Sequence, residues 1–293
     1  MSLSNKIDFA IVFSVKKANP NGDPLNGNRP RIDYDGFGEV SDVCLKRKIR
    51  NRLLDMGENI FVQSDERRID QFRSLKDRFF AHPEIKNKEK QSVEEKIRIA
   101  CKTWYDVRAF GQVFAFSKKD KKGQNEEKEG ADAVSFGVRG PVTIQNAVSI
   151  LPVDIFSMQI TKSVNLETDP KNPDKKGSDT VGMKHRIENG VYVSKGSINC
   201  QLAEKTGFSD EDAEKLLAAL RSIFVNDESA ARPAGSMSVD YVIWWKHNCK
   251  NGQYSSATVH ESLKVSLDKE TMKPVIEITP LEGLEPEIYP GSN

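Results

Sequence analysis

The chain has 293 residues, 37% hydrophobic and 30% charged, enough for one elaborated domain or two small ones and polar for a globular protein. Lysine and arginine number 44 against 43 acids, a net charge of +1. That balance excludes a uniformly basic nucleic-acid binder and an acidic tail protein, but not a chain that sorts its charge by segment. No apolar run approaches the ~20 residues of a membrane helix, and the opening Met1-Ser2-Leu3-Ser4-Asn5-Lys6 carries no signal-peptide core. Cys44, Cys101, Cys200 and Cys249 are scattered without a CxxC pair. This argues against a disulfide framework or zinc site and for a reducing, cytoplasmic setting without membrane partners. His82, His185, His247 and His260 form no metal motif, and GxxxxGK[ST], GxGxxG and GxSxG are absent. A binding protein without cofactor or metal is expected rather than an enzyme.

Ile7 to Val15 sets Ile7, Phe9, Ile11, Phe13 and Val15 on one face and Ala10 and Val12 on the other, as in a central strand. A polar loop rich in Gly and Pro follows, Asn19 to Arg31. Ser41 is a good N-cap, Val40 can staple to Leu45, and Leu45, Ile49, Leu53 and Met56 form an apolar stripe ended by Gly57. Further helices are predicted over Asp65 to His82, through Ile69, Phe72, Leu75 and Phe79, and over Ser92 to Trp104, through Val93, Ile97, Cys101 and Trp104. Strands are predicted at Arg108 to Phe116, Ala133 to Val138 and Val142 to Leu151, with a charged loop at Lys118 to Gly130. Gln159 to Asn199 reads as a long hairpin with arms Gln159 to Asn165 and Gly190 to Ile198 and a Pro/Lys/Asp tip, Thr168 to Ser178. A helix capped by Ser209/Asp212, a strand at Val239 to Lys246 and a terminal hairpin (Leu263 to Leu267, Val275 to Thr279) close the chain. Stripped of a helical and a hairpin insertion, the order is close to βαββαβ, the ferredoxin-like and RRM plan: an α+β fold.

The first helix carries Lys46, Arg47, Lys48, Arg50 and Arg52 with no acid between Asp42 and Asp55. Lys46, Arg47 and Arg50 share a flank that suits either a row of phosphates or an ordinary solvated face. In the loop, glycines permit close backbone approach and Arg29 and Arg31 supply charge. Asp23, Asp33 and Asp35 could bind a divalent metal for phosphodiester cleavage, but Asp beside Pro or Gly is common turn chemistry and no general acid or base accompanies them. Arg108 to Phe114 half-matches an RNP1 strand and reads as an interior strand. Of Trp244-Trp245, one ring faces each side, so at least one is core. Met183-Lys184-His185-Arg186 and Lys162 combine basic and apolar residues suited to wedging between bases. The turns around Arg139 and Arg232 set one Arg beside small residues, a pattern common to backbone contacts and structural turns.

Asn19-Pro20-Asn21-Gly22-Asp23-Pro24, Ser41 followed by Leu45 to Arg50, Asp106 to Gly111 and Gly137 to Val142 together resemble one family. It is the backbone subunit of the type I-C CRISPR surveillance complex (Cascade), of the RAMP superfamily, and the similarity runs from Ile7 to about Thr279. The resemblance implies an RRM-like palm (1–57, 105–158 and 200–293), a helical finger insertion (58–104) and a hairpin thumb (159–199). It implies a non-catalytic protein that polymerises head to tail along a CRISPR RNA, each thumb kinking the guide, which then pairs with target DNA. Other Cascade subunits, an RNA-processing end cap and a large subunit, would be partners. The related type III backbones, which cut target RNA with a palm-loop aspartate, are the alternative. Guide contacts are expected from Asn19, Asn21, Arg29, Arg31, Ser41, Lys46, Arg47, Arg50, Arg139, Lys162, Met183, Lys184, His185, Arg186 and Arg232. Charge is sorted accordingly: residues 40–54 hold five cations against one acid, and 260–293 seven acids against three lysines.

Overall fold

A computed structural model describes residues 2–86, 91–116, 134–161, 163 and 181–292. In chain order the elements are β1 (Ile7–Ala18), β2 (Gly22–Asp23), β3 (Arg29–Pro30), β4 (Phe37–Val40), α1 (Asp42–Asp55), α2 (Leu75–Phe80), α3 (Pro83–Lys86), α4 (Val93–Thr103) and α5 (Tyr105–Phe110). They continue with β5 (Gly111–Phe116), β6 (Val134–Arg139), β7 (Val142–Ile144), β8 (Ala147–Pro152), β9 (Ile155–Thr161), β10 (Val181–Ile198), α6 (Cys200–Thr206) and α7 (Asp210–Arg221). The last are β11 (Met237–Lys246), α8 (Ser256–Ser262), β12 (Leu263–Leu267), β13 (Pro274–Ile278) and β14 (Glu287–Pro290). The fold is mixed α/β around a large antiparallel sheet ordered β14-β11-β1-β10-β8-β4, with β7 and β9 also pairing β10.

The odd residues of β1, Ile7 to Val15, pack with Leu45, Ile49 and Leu53 of α1 and Leu216, Leu217 and Leu220 of α7. Ala10 and Val12 face the other way, onto Ile243, Trp245 and Val259 of α8. The sheet is thus covered on both sides, which is why β1 is apolar at every position from Ile7 to Phe13 except Asp8. Ser41 caps α1 by accepting from the Cys44 amide at 3.3 Å, and Ser209 and Asp212 form a reciprocal capping box on α7.

Several expectations are corrected. Asp65 to His82 is not one helix: a single 3-10 turn (Asp65–Arg67) and the short α2 replace it, and Ile69 is 68% exposed. The Asp70 carboxylate accepts from the Phe72 amide and from a forked Arg78 guanidinium, and that local turn outcompetes the helix. Arg108 to Phe116 is not one strand, because α5 runs to Phe110 and the chain reverses at Gly111 with φ 78°. Moreover β5 and β6 form their own two-stranded sheet, and Phe114 and Phe136 join Phe61, Phe79 and Trp104 in a second core with the helical insertion. The strands at the centre of the main sheet are β11, β1, β10 and β8, in that order. Met56 caps the end of α1 and is partly exposed, while Lys48 is buried instead. Val93 is exposed, since the N-terminal turn of α4 lies outside its packed face. Trp244 and Trp245 do point to opposite faces as expected, and both are buried because each face of the sheet has its own core. The hairpin arms begin earlier than expected on one side and extend further on the other: β9 starts at Ile155 and β10 spans 18 residues. Lys162, the predicted tip and the loop Lys118 to Gly130 lie outside the described residues. Sequence patterning missed β2, β3, β4, α3, α6, α8 and β14, all of seven residues or fewer.

Candidate nucleic-acid interface

The loop after β1 is an ordered hairpin of β2 and β3. Asn19 is buried. Its amide nitrogen donates to the Asn28 carbonyl at 2.7 Å, its backbone N–H donates to the Ala231 carbonyl, and its side-chain oxygen has no partner among the described residues. Asn28 holds the tip at φ 58°, a conformation Asn tolerates better than most residues. Asn21 reaches the start of α1, its side-chain oxygen accepting from both the amide (3.0 Å) and the hydroxyl (2.9 Å) of Ser41. The hairpin and the positive end of the α1 dipole are therefore one unit.

The loop acids are engaged in turns. Asp23 accepts from the Leu25 amide and pairs with Arg31 at 3.4 Å. Asp33 accepts from the amides of Asp35 and Phe37. Among the described residues no group of three His, Cys, Asp or Glu is placed to hold a metal ion.

The cations of α1 are less free than their run in the sequence implies. Lys46 pairs with Asp42 one turn back at 3.1 Å. Arg47 donates to the Val62 carbonyl at 2.8 Å; burial, and then the neighbouring Arg50, push its pKa down. Arg50 donates to Asp106 at 3.0 Å and lies over the Phe110 ring. Asp106 in turn accepts from the amides of Phe61 and Val62. Arg52 donates to the Ser222 hydroxyl. Lys48 is buried against Asp227, which also holds Arg232 at 2.9 Å; burial lowers the Lys48 pKa, with Asp227 opposing. For Lys48 and Arg50 an acid absent from this stretch of sequence is thus supplied by tertiary contact, whereas Arg47 and Arg52 donate to a carbonyl and a hydroxyl. Lys46 is the α1 cation whose only carboxylate partner among the described residues is a partly exposed one on its own helix.

The ribbon of β9 and β10 meets the hairpin through Arg29, whose guanidinium is 3.5 Å from the Ser157 hydroxyl; Ser157 in turn bonds His185 Nδ1 at 2.8 Å. Strand alternation divides the predicted ribbon residues. Met183 and His185 share the face of Ser157, towards the hairpin, whereas Lys184 and Arg186 lie on the other face opposite Met158 and Phe156. There Arg186 pairs with Glu188 and covers the Phe156 ring at 5.1 Å. The structure therefore brings together Asn19, Asn21, Arg29, Arg31, Ser41, Arg232, Met183 and His185. Arg139 ends β6 opposite Gly111, with no described contact to the hairpin. Ser157 escaped the sequence reading because a lone Ser carries no signal. The pairing of Lys48 with Asp227 escaped because the two are 179 positions apart.

Together these features define a sheet protein whose hairpin and projecting ribbon flank a polar, cation-bearing cleft. Residues 5–281 match the CRISPR-associated protein Cas7 family, and the chain belongs to that family. It is 29% identical over 222 residues to the CRISPR-associated protein Cas7 of Haloferax volcanii, a match covering 74% of this chain and 63% of that one. The chain thus spans less than two thirds of that relative's length. Two solved chains are also similar. One is from a CRISPR RNA-guided surveillance complex in a pre-nicking state (TM-score 0.48, 13% identity, 91% of this chain and 84% of that one). The other is from a CRISPR RNA-guided surveillance complex (TM-score 0.45, 16% identity, 91% and 78%).

Proposed function

We propose that this protein is a non-catalytic backbone subunit of a type I-C CRISPR surveillance complex, polymerising along the guide RNA and presenting it to target DNA. The observation that carries the reading is the bonded chain from Arg29 through Ser157 to His185, which joins the hairpin and the ribbon across one cleft. Membership of the Cas7 family supports it. The sheet order β11-β1-β10-β8 supports an RRM-like palm, with residues 58–104 as finger and 159–199 as thumb. Arg29, Arg31, Lys46 and Arg232 would meet guide phosphates, with Asn19, Asn21 and Ser41 shaping the backbone beside them, and Met183 and His185 would meet a base. Such a site needs no base-edge readers, because pairing supplies sequence specificity.

The test replaces Arg29, Arg31 and Lys46 by Ala and follows filament formation on spacer-length RNA by electron microscopy and binding by fluorescence anisotropy. Lost filaments with an unchanged melting temperature are expected. Wild-type affinity should fall with salt by about 0.7 log units per log unit of salt for each phosphate neutralised. Unchanged binding by the triple variant would sink the assignment of this cleft. RNA cleavage in Mg²⁺ that disappears on Asp23→Ala or Asp33→Ala would overturn the non-catalytic reading in favour of a ribonuclease.

A further inference from the structure

A second charged surface lies at the opposite end of β1. There α4 packs against α6 and leaves a groove of about 790 Å³, lined among others by Arg98, Lys102 and Lys205. All three are exposed, and none has a carboxylate within ion-pair distance among the described residues. The two acids on its rim are engaged elsewhere, Glu204 by Lys250 and Glu94 by Ser92 at the start of α4. α6 follows Ile198, which pairs with Ile7 at the start of β1, whereas the hairpin follows Ala18 at its end. Twelve residues of strand separate the two, on the order of 35–40 Å. The groove is therefore not a continuation of the cleft.

Across the sheet, at the same end, is a turn of opposite charge. Its Glu282 and Glu285 have no cation partner among the described residues and are exposed. Tyr254 donates to the Glu282 carbonyl and Gln253 to that of Gly283, while Lys6, just before β1, donates to the Tyr254 carbonyl. Leu284 packs into the core on the Ala10 and Val12 face, and Cys200 and Ala203 of α6 into the core on the Phe9 and Ile11 face. Groove and turn thus lie on opposite faces of one sheet. No copy can satisfy its own groove, but a copy stacked on the next can. Two different patches meeting in this way form a heterologous contact, which stays open-ended unless the rotation closes it.

We infer that the α4–α6 groove of one copy receives the Glu282–Glu285 turn of the next copy, an electrostatic seam between stacked subunits separate from the guide cleft. This rests on the proposed guide-backbone function and adds the surfaces by which copies meet. The seam fixes the direction of stacking, and its charge keeps the same two faces from pairing with themselves.

The test uses the full chain in three forms: R98E/K102E, E282K/E285K and all four changes together. Native mass spectrometry counts copies on an RNA long enough for several, and anisotropy measures affinity for an RNA long enough for one. Each pair of reversals should weaken multi-copy assembly by roughly tenfold or more and leave single-copy affinity unchanged, and the fourfold variant should recover assembly. Full assembly by both double variants, or no recovery in the fourfold variant with its melting temperature intact, overturns the seam. Loss of single-copy affinity in R98E/K102E also overturns it, and assigns the groove to nucleic acid. Should wild type fail to bind RNA at all, the guide reading fails; the seam then stands or falls on whether the same reversals weaken self-association of the free protein.

Discussion

Asp106 shows how a single side chain ties the first helix to the insertion beside it. Its carboxylate is 1% exposed and accepts from Arg50 and from the amides of Phe61 and Val62. Removing it strands two amides and a guanidinium together, so Asp106→Ala is expected to cost about 3–5 kcal/mol, read by urea denaturation. Arg50→Ala should likewise lower stability before it touches RNA binding; a full-stability variant that has lost RNA would return Arg50 to the cleft. Gly111 and Gly140 carry a second constraint. A Cβ on Gly111 would sit 2.3 Å from the Val138 carbonyl oxygen and one on Gly140 2.3 Å from that of Ala109. Gly111 also holds φ 78°. Gly111→Ala is therefore expected to destabilise by at least about 2 kcal/mol, measured by thermal unfolding. The two glycine-bearing segments around Phe110 and Arg139, ambiguous as strings, are one close backbone crossing.

At the scale of elements, α8 carries a titration. His260 is buried and its Nε2–H donates to the Gly196 carbonyl at 3.0 Å. Burial pushes its pKa below the ordinary 6.5, with the Gly196 bond and Asp8 opposing. The unfolded chain then binds the extra proton more readily, so stability falls as the pH drops through about 6.5. For Asp8, burial alone would raise the pKa, but bonds from His247, Ser256 and Lys6 outweigh it and the net shift is downward. That contribution is present above the ordinary value of 3.8 and is lost only at lower pH. Between pH 7 and 5 the melting temperature should therefore fall, and His260→Gln should flatten the slope; an unchanged slope would remove His260 as its source. β1, α1, α4 and α7 were legible because their periodicity and caps are local properties. The division of Asp65 to His82 was not, because the Arg78–Asp70 fork that breaks it competes with a good apolar repeat. The hairpin Asn19 to Arg31 was legible as a loop with charge, but its closure onto Ser157 needed the strand partners of β10. In the ribbon, the run Met183 to Arg186 is one cluster as a string and two faces as a strand. Met183→Ala is accordingly expected to alter base stacking, seen by 2-aminopurine fluorescence in bound RNA, while Lys184→Ala leaves that signal unchanged.

For the whole molecule, neutrality is an average over surfaces of opposite sign. The cleft places Arg29, Arg31 and Arg232 at one end of β1, and the groove and acidic turn face away from each other at its other end. A global shift of net charge should therefore matter less than where it falls. Lys269→Glu and Lys273→Glu together, at the turn between β12 and β13 and among the residues of neither cleft nor groove, are expected to leave RNA affinity within about twofold. Anisotropy at fixed salt checks this, and a loss as large as that of the cleft variant would show that the field acts at long range.

One strand belongs to both the central sheet and the ribbon. β10 pairs with β1 over Ile187 to Ile198, Glu188 excepted, and with β9 over Val181 to Ile187. Its 18 residues make an extended beam of roughly 55–60 Å, rooted in the middle of the sheet and free of it beyond Ile187. A load applied at the outer end is borne at the root by Tyr192, which is stacked on Phe13, instead of being absorbed by a loop. The ribbon is thus a beam held at two points, at its root by the packed core and along one side by Arg29 of the hairpin through Ser157.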